Sequence, residues 1–259
     1  MHMQRTFLIL KENVRLLLRG LSGEEMNSEK LSMRLESVAK YIPKGSRIAD
    51  IGSDHAYLPC YVVQKGMSSF AIAGEVAEGP YQSARSQVES LGLTESISVR
   101  KGDGLEVLEP GEVDCITIAG MGGALIASIL EAGKEKLANV RRLVLQPNIG
   151  AKSIRTWLLE NGWGLIAEEI IEEDGKIYEV LIAEQGGAKT SYEHEWDKGL
   201  LFGPFLLKEK NTAFRKKWHA EKENWQKIVR QLEQASKTLE NQEKKEELLR
   251  KIQLAEEVL

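Results

Sequence analysis

The sequence predicts an α/β fold: a mostly parallel sheet that finishes in an antiparallel hairpin and is followed by a helical tail. Three observations predict it. From Arg47 onward, short apolar runs alternate with helical patterns of about 10–14 residues, the rhythm of strand–helix–strand units and a parallel sheet. Glu173-Asp174-Gly175 then joins two extended runs, and Asp-Gly between such runs signals a hairpin. Beyond Phe205 the chain turns charged, with apolar residues at heptad spacing.

The elements follow in order. Residues 1–25 read as an N-terminal extension, with a weak amphipathic helix as the alternative. Met26 is a second candidate start, because a well-patterned helix begins just after it. Charges interrupt the apolar run Phe7–Leu10, so it does not make a signal h-region. Ser28 is placed to cap a helix from Glu29 to about Tyr41, with Leu31, Leu35, Val38 and Ala39 on one face. Arg34 on that helix reads as a surface charge; a clamp over a ligand mouth is the alternative. Strand-like runs follow at 47–52, 70–76, 97–101, 114–119 and 143–146. Helical patterns occupy 56–65, 79–91, 122–132 and 151–161, and the hairpin runs are 164–172 and 176–184. Residues 187–204 change composition and read as a linker between a domain over 26–186 and a helical one over 205–259. In the tail, Trp218, Trp225, Leu232 and Leu239 recur every seven residues, with Ile228 and Ala235 beside them. A second series is Leu248, Ile252, Ala255 and Leu259. An antiparallel helical hairpin is the reading and one long helix the alternative.

Bulk properties restrict the function classes. With 259 residues, 42% hydrophobic and 29% charged, the chain suits a globular protein with a sizeable core. No apolar run is long enough to span a membrane. Cys60 and Cys115 are far apart, which points to buried thiols in a reducing, cytoplasmic setting. The four histidines form no ligand cluster, so no metal is expected. The net charge of −4 does not advertise nucleic-acid binding. However, residues 208–230 hold eight basic residues against three acidic ones, among them Lys208, Lys210, Arg215, Lys216 and Lys217. Such a run is a solvated helix face or an RNA-backbone contact.

In an open α/β sheet, ligands bind outside the carboxyl ends of the strands. Those ends are Asp50-Ile51-Gly52, Gly74-Glu75, Lys101-Gly102-Asp103-Gly104, Ala119-Gly120-Met121-Gly122-Gly123 and Gln146-Pro147-Asn148. An ionised Glu75 can accept both hydroxyls of a ribose. Asp103 can accept from an adenine amine, with Gly102 and Gly104 leaving room for the ring. A dinucleotide turn wants glycine where Asp50 stands, because a carboxylate repels pyrophosphate; it suits a sulfonium and an amino-acid tail. S-Adenosylmethionine is therefore the expected cofactor. Asp54, His55 and Asn148 are candidates for a target pocket. His55 is either a ligand contact or a helix-start residue, Asn148 either an adenine-edge contact or a turn residue, and Tyr57 either a stacking or a core residue.

Asp-Ile-Gly-Ser-Asp-His-Ala-Tyr-Leu-Pro (50–59), Ala-Gly-Glu (73–75), Arg-Lys-Gly-Asp-Gly-Leu (100–105), Ile-Ala-Gly-Met-Gly-Gly (118–123) and Gln-Pro-Asn (146–148) resemble the bacterial tRNA (adenine22-N1)-methyltransferases, the TrmK family. The resemblance runs from Met26 to the end, and residues 1–25 match nothing in it. It implies a Rossmann-like class I methyltransferase fold, S-adenosylmethionine as donor, tRNA as substrate and a coiled-coil C-terminal domain. The donor contacts expected at the strand ends and the first turn are Asp50, Gly52, His55, Glu75, Gly102, Asp103, Gly104, Ala119 and Gly120. The strand-four end lacks the Asn/Asp-Pro-Pro-aromatic grip of amine-modifying relatives, which argues against N6 chemistry. Competing readings are a methyltransferase for another RNA, a protein or a small molecule, and a non-catalytic cofactor-binding scaffold.

Overall fold

A computed structural model of the protein describes residues 30–187, 192, 195–234 and 238–259. The extension over 1–25, the Ser28 cap and Ala235 lie outside the described residues. Helix α1 (Met33–Lys40) precedes β1 (Ser46–Ile51), α2 (Tyr57–Gln64), β2 (Ser68–Glu75), α3 (Glu78–Ser90) and β3 (Ile97–Lys101). There follow β4 (Cys115–Gly122), α4 (Gly123–Ala132), β5 (Arg142–Ile149), α5 (Ala151–Glu160), β6 (Trp163–Glu173) and β7 (Lys176–Gln185). The tail holds α6 (Trp196–Phe202), α7 (Leu206–Glu209), α8 (Thr212–Gln234) and α9 (Leu239–Val258). Among the described residues no helix is long and apolar enough to cross a membrane.

The seven strands form one sheet in the order β3-β2-β1-β4-β5-β7-β6. The first five are parallel, and the β6–β7 hairpin closes the sheet antiparallel, as the sequence predicts. Both faces are covered, so the central strands are apolar throughout rather than alternating. Leu143 and Leu145 of β5 join the layer under α4 and α5, where Ile126, Leu130, Ile154 and Leu158 pack. Val144, between them, joins the opposite layer with Leu35 and Val38 of α1, Leu58 and Val62 of α2 and Val88 of α3.

Three expectations are corrected. Helix α1 starts at Met33, not Glu29, and its cap is Ser32, whose Oγ accepts from the Leu35 N–H at 3.3 Å. The Glu173 carboxylate takes the Met33 and Arg34 N–H groups at 2.5 and 3.2 Å, satisfying first-turn donors that a helix cannot pair internally. Strand β4 runs on to Gly122, because a register shift around Gly120, at φ +79°, lets Met121 and Gly122 keep pairing with β5. Finally, Leu239 is 72% exposed and falls outside the tail seam, because the chain has already reversed after α8.

The tail is an antiparallel helix pair. Lys210, before α8, donates to the Val258 carbonyl at the end of α9 (2.7 Å), and Glu233 near the end of α8 pairs with Lys245 of α9 (2.8 Å). Trp218, Trp225 and Val229 pack with Leu248, Ile252 and Ala255. The second half of the stretch read as a linker is α6, whose Leu201 and Phe202 pack into the same cluster.

A buried ionic cluster joins tail to sheet. The Arg155 guanidinium of α5 is 0% exposed and bonds Glu168 of β6 (2.7 Å) and Glu179 of β7. Lys217 of α8 pairs with Glu179, and the Phe205 N–H donates to Glu168 (3.0 Å). A side chain on Gly203, at φ +92°, would collide with these groups. Removing one member of such a cluster strands the other charges without water. Arg155→Ala should therefore lower unfolding free energy by about 3–5 kcal/mol in urea titration, whereas a surface change such as Arg85→Ala should cost under about 1 kcal/mol.

Candidate active site

The turn after β1 is built against its backbone preference. Gly52 is left-handed (φ +68°), and Asp54, His55 and Ala56 follow with φ of 43°, 65° and 57°. Three consecutive left-handed non-glycine residues cost roughly 1–2 kcal/mol each. Neighbouring β2 supplies the restraint. The Gly74 carbonyl accepts from the N–H groups of Gly52 (2.9 Å) and Ser53 (3.3 Å), and Glu75 Oε1 accepts from the Asp54 N–H (2.5 Å). Ala56 is buried under the turn, and α2 begins directly after it. Burial raises the Glu75 carboxyl above its ordinary range, the Asp54 N–H draws it down, and the nearby Asp50 and Asp54 charges push it up again.

Asp50 is the last residue but one of the central strand, paired with Ala73 on one side and Thr117 on the other. Its Oδ1 accepts from the Thr117 hydroxyl at 2.6 Å. Burial pushes its carboxyl up from 3.8 to about 6, against the pull of the Thr117 hydrogen bond and the Arg34 charge.

On the β4–β5 side, buried Gln146 is a hub. Its Oε1 accepts from Arg34 Nη1 (2.6 Å) and from the Gly120 N–H (2.9 Å). Its Nε2 faces Asn148 Oδ1 (3.4 Å), and Asn148 Nδ2 donates to the Gly120 carbonyl (2.7 Å). Arg34 is thus not the surface charge read from the sequence. It lies across the cavity wall, its guanidinium 5.6 Å from the centre of the Tyr178 ring.

These groups surround a cavity of about 280 Å³. Of the predicted residues, Asp50, Gly52, Asp54, Ala119, Gly120 and Asn148 line it, and Tyr57 joins them. His55 does not; its half-exposed ring stacks on Tyr57 at 5.5 Å, with Nε2 3.5 Å from Asp54. Glu75 sits behind the turn, and the Gly102 N–H donates to its carbonyl (3.0 Å). That bond brings Gly102, Asp103 and Gly104 alongside, with Asp103 exposed. The ends of β1, β2 and β3 therefore lie side by side next to the cavity, but Glu75, Gly102, Asp103 and Gly104 are not among its lining residues. Sequence reasoning missed Gln146, Met121 and Tyr178. Gln146 stood at a strand end and carried that signal; Tyr178 sits mid-strand in a hairpin and carried none.

The basic residues divide. Lys217 and Lys216 pair with Glu179 and Glu172, and Lys210 holds the Val258 carbonyl. Lys208 lies over the Phe205 ring (5.7 Å) at the surface, and Arg215 is exposed. Lys210 and Lys217 are thus engaged in holding the tail together, a use that charge counting along the sequence does not register.

Comparison with known proteins places this arrangement. The family model described as tRNA (adenine(22)-N(1))-methyltransferase matches residues 48–257. A Bacillus subtilis protein of that name is 56% identical over 235 residues, covering 90% of this chain and 99% of the relative. The crystal structure of the B. subtilis m1A22 tRNA methyltransferase TrmK superposes with a TM-score of 0.85 at 55% identity, covering 89% of this chain and 99% of that one. A Streptococcus pneumoniae structure in complex with S-adenosyl-L-methionine superposes at 0.75 with 47% identity, covering 89% and 100%.

The Glu75 restraint is testable without any ligand. Glu75→Ala should speed hydrogen exchange of the amides over residues 53–56 by at least about tenfold, because the turn then has one anchor fewer. Glu75→Gln, which keeps an acceptor oxygen, should leave most of the protection in place.

Proposed function

The chain belongs to the tRNA (adenine(22)-N(1))-methyltransferase family, and from that premise we propose how its own residues carry out methyl transfer from S-adenosylmethionine to N1 of an adenine in tRNA. One observation carries the assignment of roles: Asp50, Glu75 and Asp103 stand at the ends of three adjacent parallel strands, inside the segment that matches the family.

The residues fit the donor. A Cβ on Gly52 would land 2.1 Å from the mobile Met121 Cε, and the φ of +68° at this corner of the cavity strains any residue but glycine. Asp50, once ionised, offers negative charge to the cationic end of the donor. Glu75 accepts from the ribose hydroxyls and Asp103 from the adenine amine. Val76 between them is 63% exposed, an apolar surface without protein cover that suits an adenine face. The bound donor supplies a methyl group on a positively charged sulfur.

The target base needs different services. Adenine N1 has an in-plane lone pair, so no general base is required, and alignment is the main demand. N1 lies on the Watson–Crick edge, so the base has to leave its stack. Tyr57 and Tyr178 wall the cavity with aromatic surface that the end of β4 lacks. Positive charge grows on the ring as N1 attacks, and the Asp54 carboxylate and the Gly120 carbonyl are placed to offset it. His55, next to Asp54, steadies that carboxylate from outside the cavity. We assign residues 26–186 to catalysis and the 205–259 region to tRNA contact, with Lys208 and Arg215 as backbone-binding cations. A tRNA substrate and the two free, buried cysteines suit the reducing cytoplasm.

Two measurements test this reading. Labelled donor and unmodified tRNA should give N1-methyladenosine on nucleoside analysis; another product, or none, overturns it. The second is donor affinity against pH. The folded Asp50 carboxyl titrates near 6, above its ordinary 3.8. Between those values the folded chain holds the extra proton, so ionising Asp50 costs stability as pH rises. A cationic ligand selects the ionised form. Affinity should therefore be full above pH of about 6 and weaken by up to about tenfold per unit below it by calorimetry, and Asp50→Asn should flatten that profile.

A further inference from the structure

The hydrogen bonds around Gln146 leave no freedom in how the two amides are turned. A guanidinium and a backbone N–H only donate, so the Gln146 atom that meets Arg34 and Gly120 is its carbonyl oxygen. Its NH2 group then points to Asn148, and an NH2 needs an acceptor, so Asn148 presents Oδ1 to it. The Gly120 carbonyl only accepts, which places Asn148 Nδ2 on the other side. After these contacts Asn148 retains one lone pair on Oδ1 and one hydrogen on Nδ2, and it lines the cavity.

One acceptor beside one donor on a planar amide matches the Hoogsteen edge of adenine, where the N6 amine donates and N7 accepts. The same amide on the Watson–Crick edge would occupy N1, the atom that has to attack. Guanine carries O6 where adenine carries the amine and would set oxygen against Oδ1. Resting on the adenine-N1 reading above, we propose that Asn148 reads the Hoogsteen edge of the target adenine, leaving N1 free, and that Gln146, itself held by Arg34, positions the Asn148 amide for it. Gln146 touches no substrate in this arrangement; it acts through Asn148.

Atom replacement in the substrate tests this directly. Single-turnover methyl transfer is measured on tRNA assembled with adenosine or 7-deazaadenosine, which lacks the N7 acceptor, at the target position. Wild type should be slower on the 7-deaza tRNA by about tenfold or more, the worth of a good base contact. Asn148→Ala, a change at an exposed side chain, should be slow on adenosine and no slower on 7-deazaadenosine, which also cancels any intrinsic reactivity difference between the two bases. Gln146→Glu keeps acceptors for Arg34 and Gly120 but sets a carboxylate oxygen against Asn148 Oδ1. It should lose the discrimination while donor affinity stays at its wild-type value.

Equal wild-type rates on both tRNAs, or a tenfold discrimination that survives in Asn148→Ala, overturn the edge assignment. Gln146→Glu that still discriminates, or that loses donor affinity as well, overturns the positioning role. A wild-type enzyme inert toward the adenosine tRNA overturns the functional reading itself, so the two failures are told apart.

Discussion

The Arg155 guanidinium, sealed from water between two carboxylates, is the constraint around which the two halves of the molecule are assembled. Desolvating a cation and two carboxylates is tolerable only if their mutual geometry is good and their remaining hydrogen-bonding sites are filled. Each requirement recruits another part of the chain. Helix α5 brings the arginine, β6 and β7 bring Glu168 and Glu179, the backbone at Phe205 fills a remaining oxygen, and Lys217 adds the balancing charge. The crowding at Gly203 follows, since only a residue without a side chain lets the backbone pass there. The helical tail is therefore seated on the sheet through charge as well as through its Trp218 and Phe214 packing.

The hairpin that carries those carboxylates also reaches the other end of the molecule. Glu173 at the tip of β6 takes the first N–H groups of α1, and Tyr178 of β7 lies under Arg34 of the same helix. Arg34 then meets Gln146, and Gln146 meets Gly120 and Asn148. Thus the antiparallel addition to a parallel sheet sets the position of the tail on one side and of a cavity wall on the other. The β4–β5 side of the cavity is polar and cross-linked, whereas the β1 side is a strained turn held by two acceptors of β2. The first arrangement suits reading a base and the second suits gripping a donor.

Much of this was legible in the sequence. The strand–helix rhythm and the Asp-Gly hairpin gave the sheet, and strand-end logic put Asp50, Gly52, Glu75 and Asp103 at one edge of it, because parallel topology sends all carboxyl ends to the same edge; of these, Asp50 and Gly52 line the cavity. Asn148 and Gly120 were legible for that reason too. What strand-end logic could not convey was which of these residues touch each other. His55 and Asp54 are adjacent in the chain, yet only Asp54 lines the cavity, because three left-handed residues turn the backbone between them and α2.

The sequence by itself determined the sheet, the family resemblance and the carboxylates at the strand ends, since these depend on local periodicity, on motifs and on residues at strand termini. Only the tertiary structure decided the roles of Arg34, Gln146, Tyr178 and Lys217. Each is a polar or aromatic side chain whose partner lies on a different element, 112 positions away for Arg34 and Gln146 and 38 for Lys217 and Glu179. The free energy of a buried charge or amide depends on the donor or acceptor that reaches it, and folding alone brings that partner within reach.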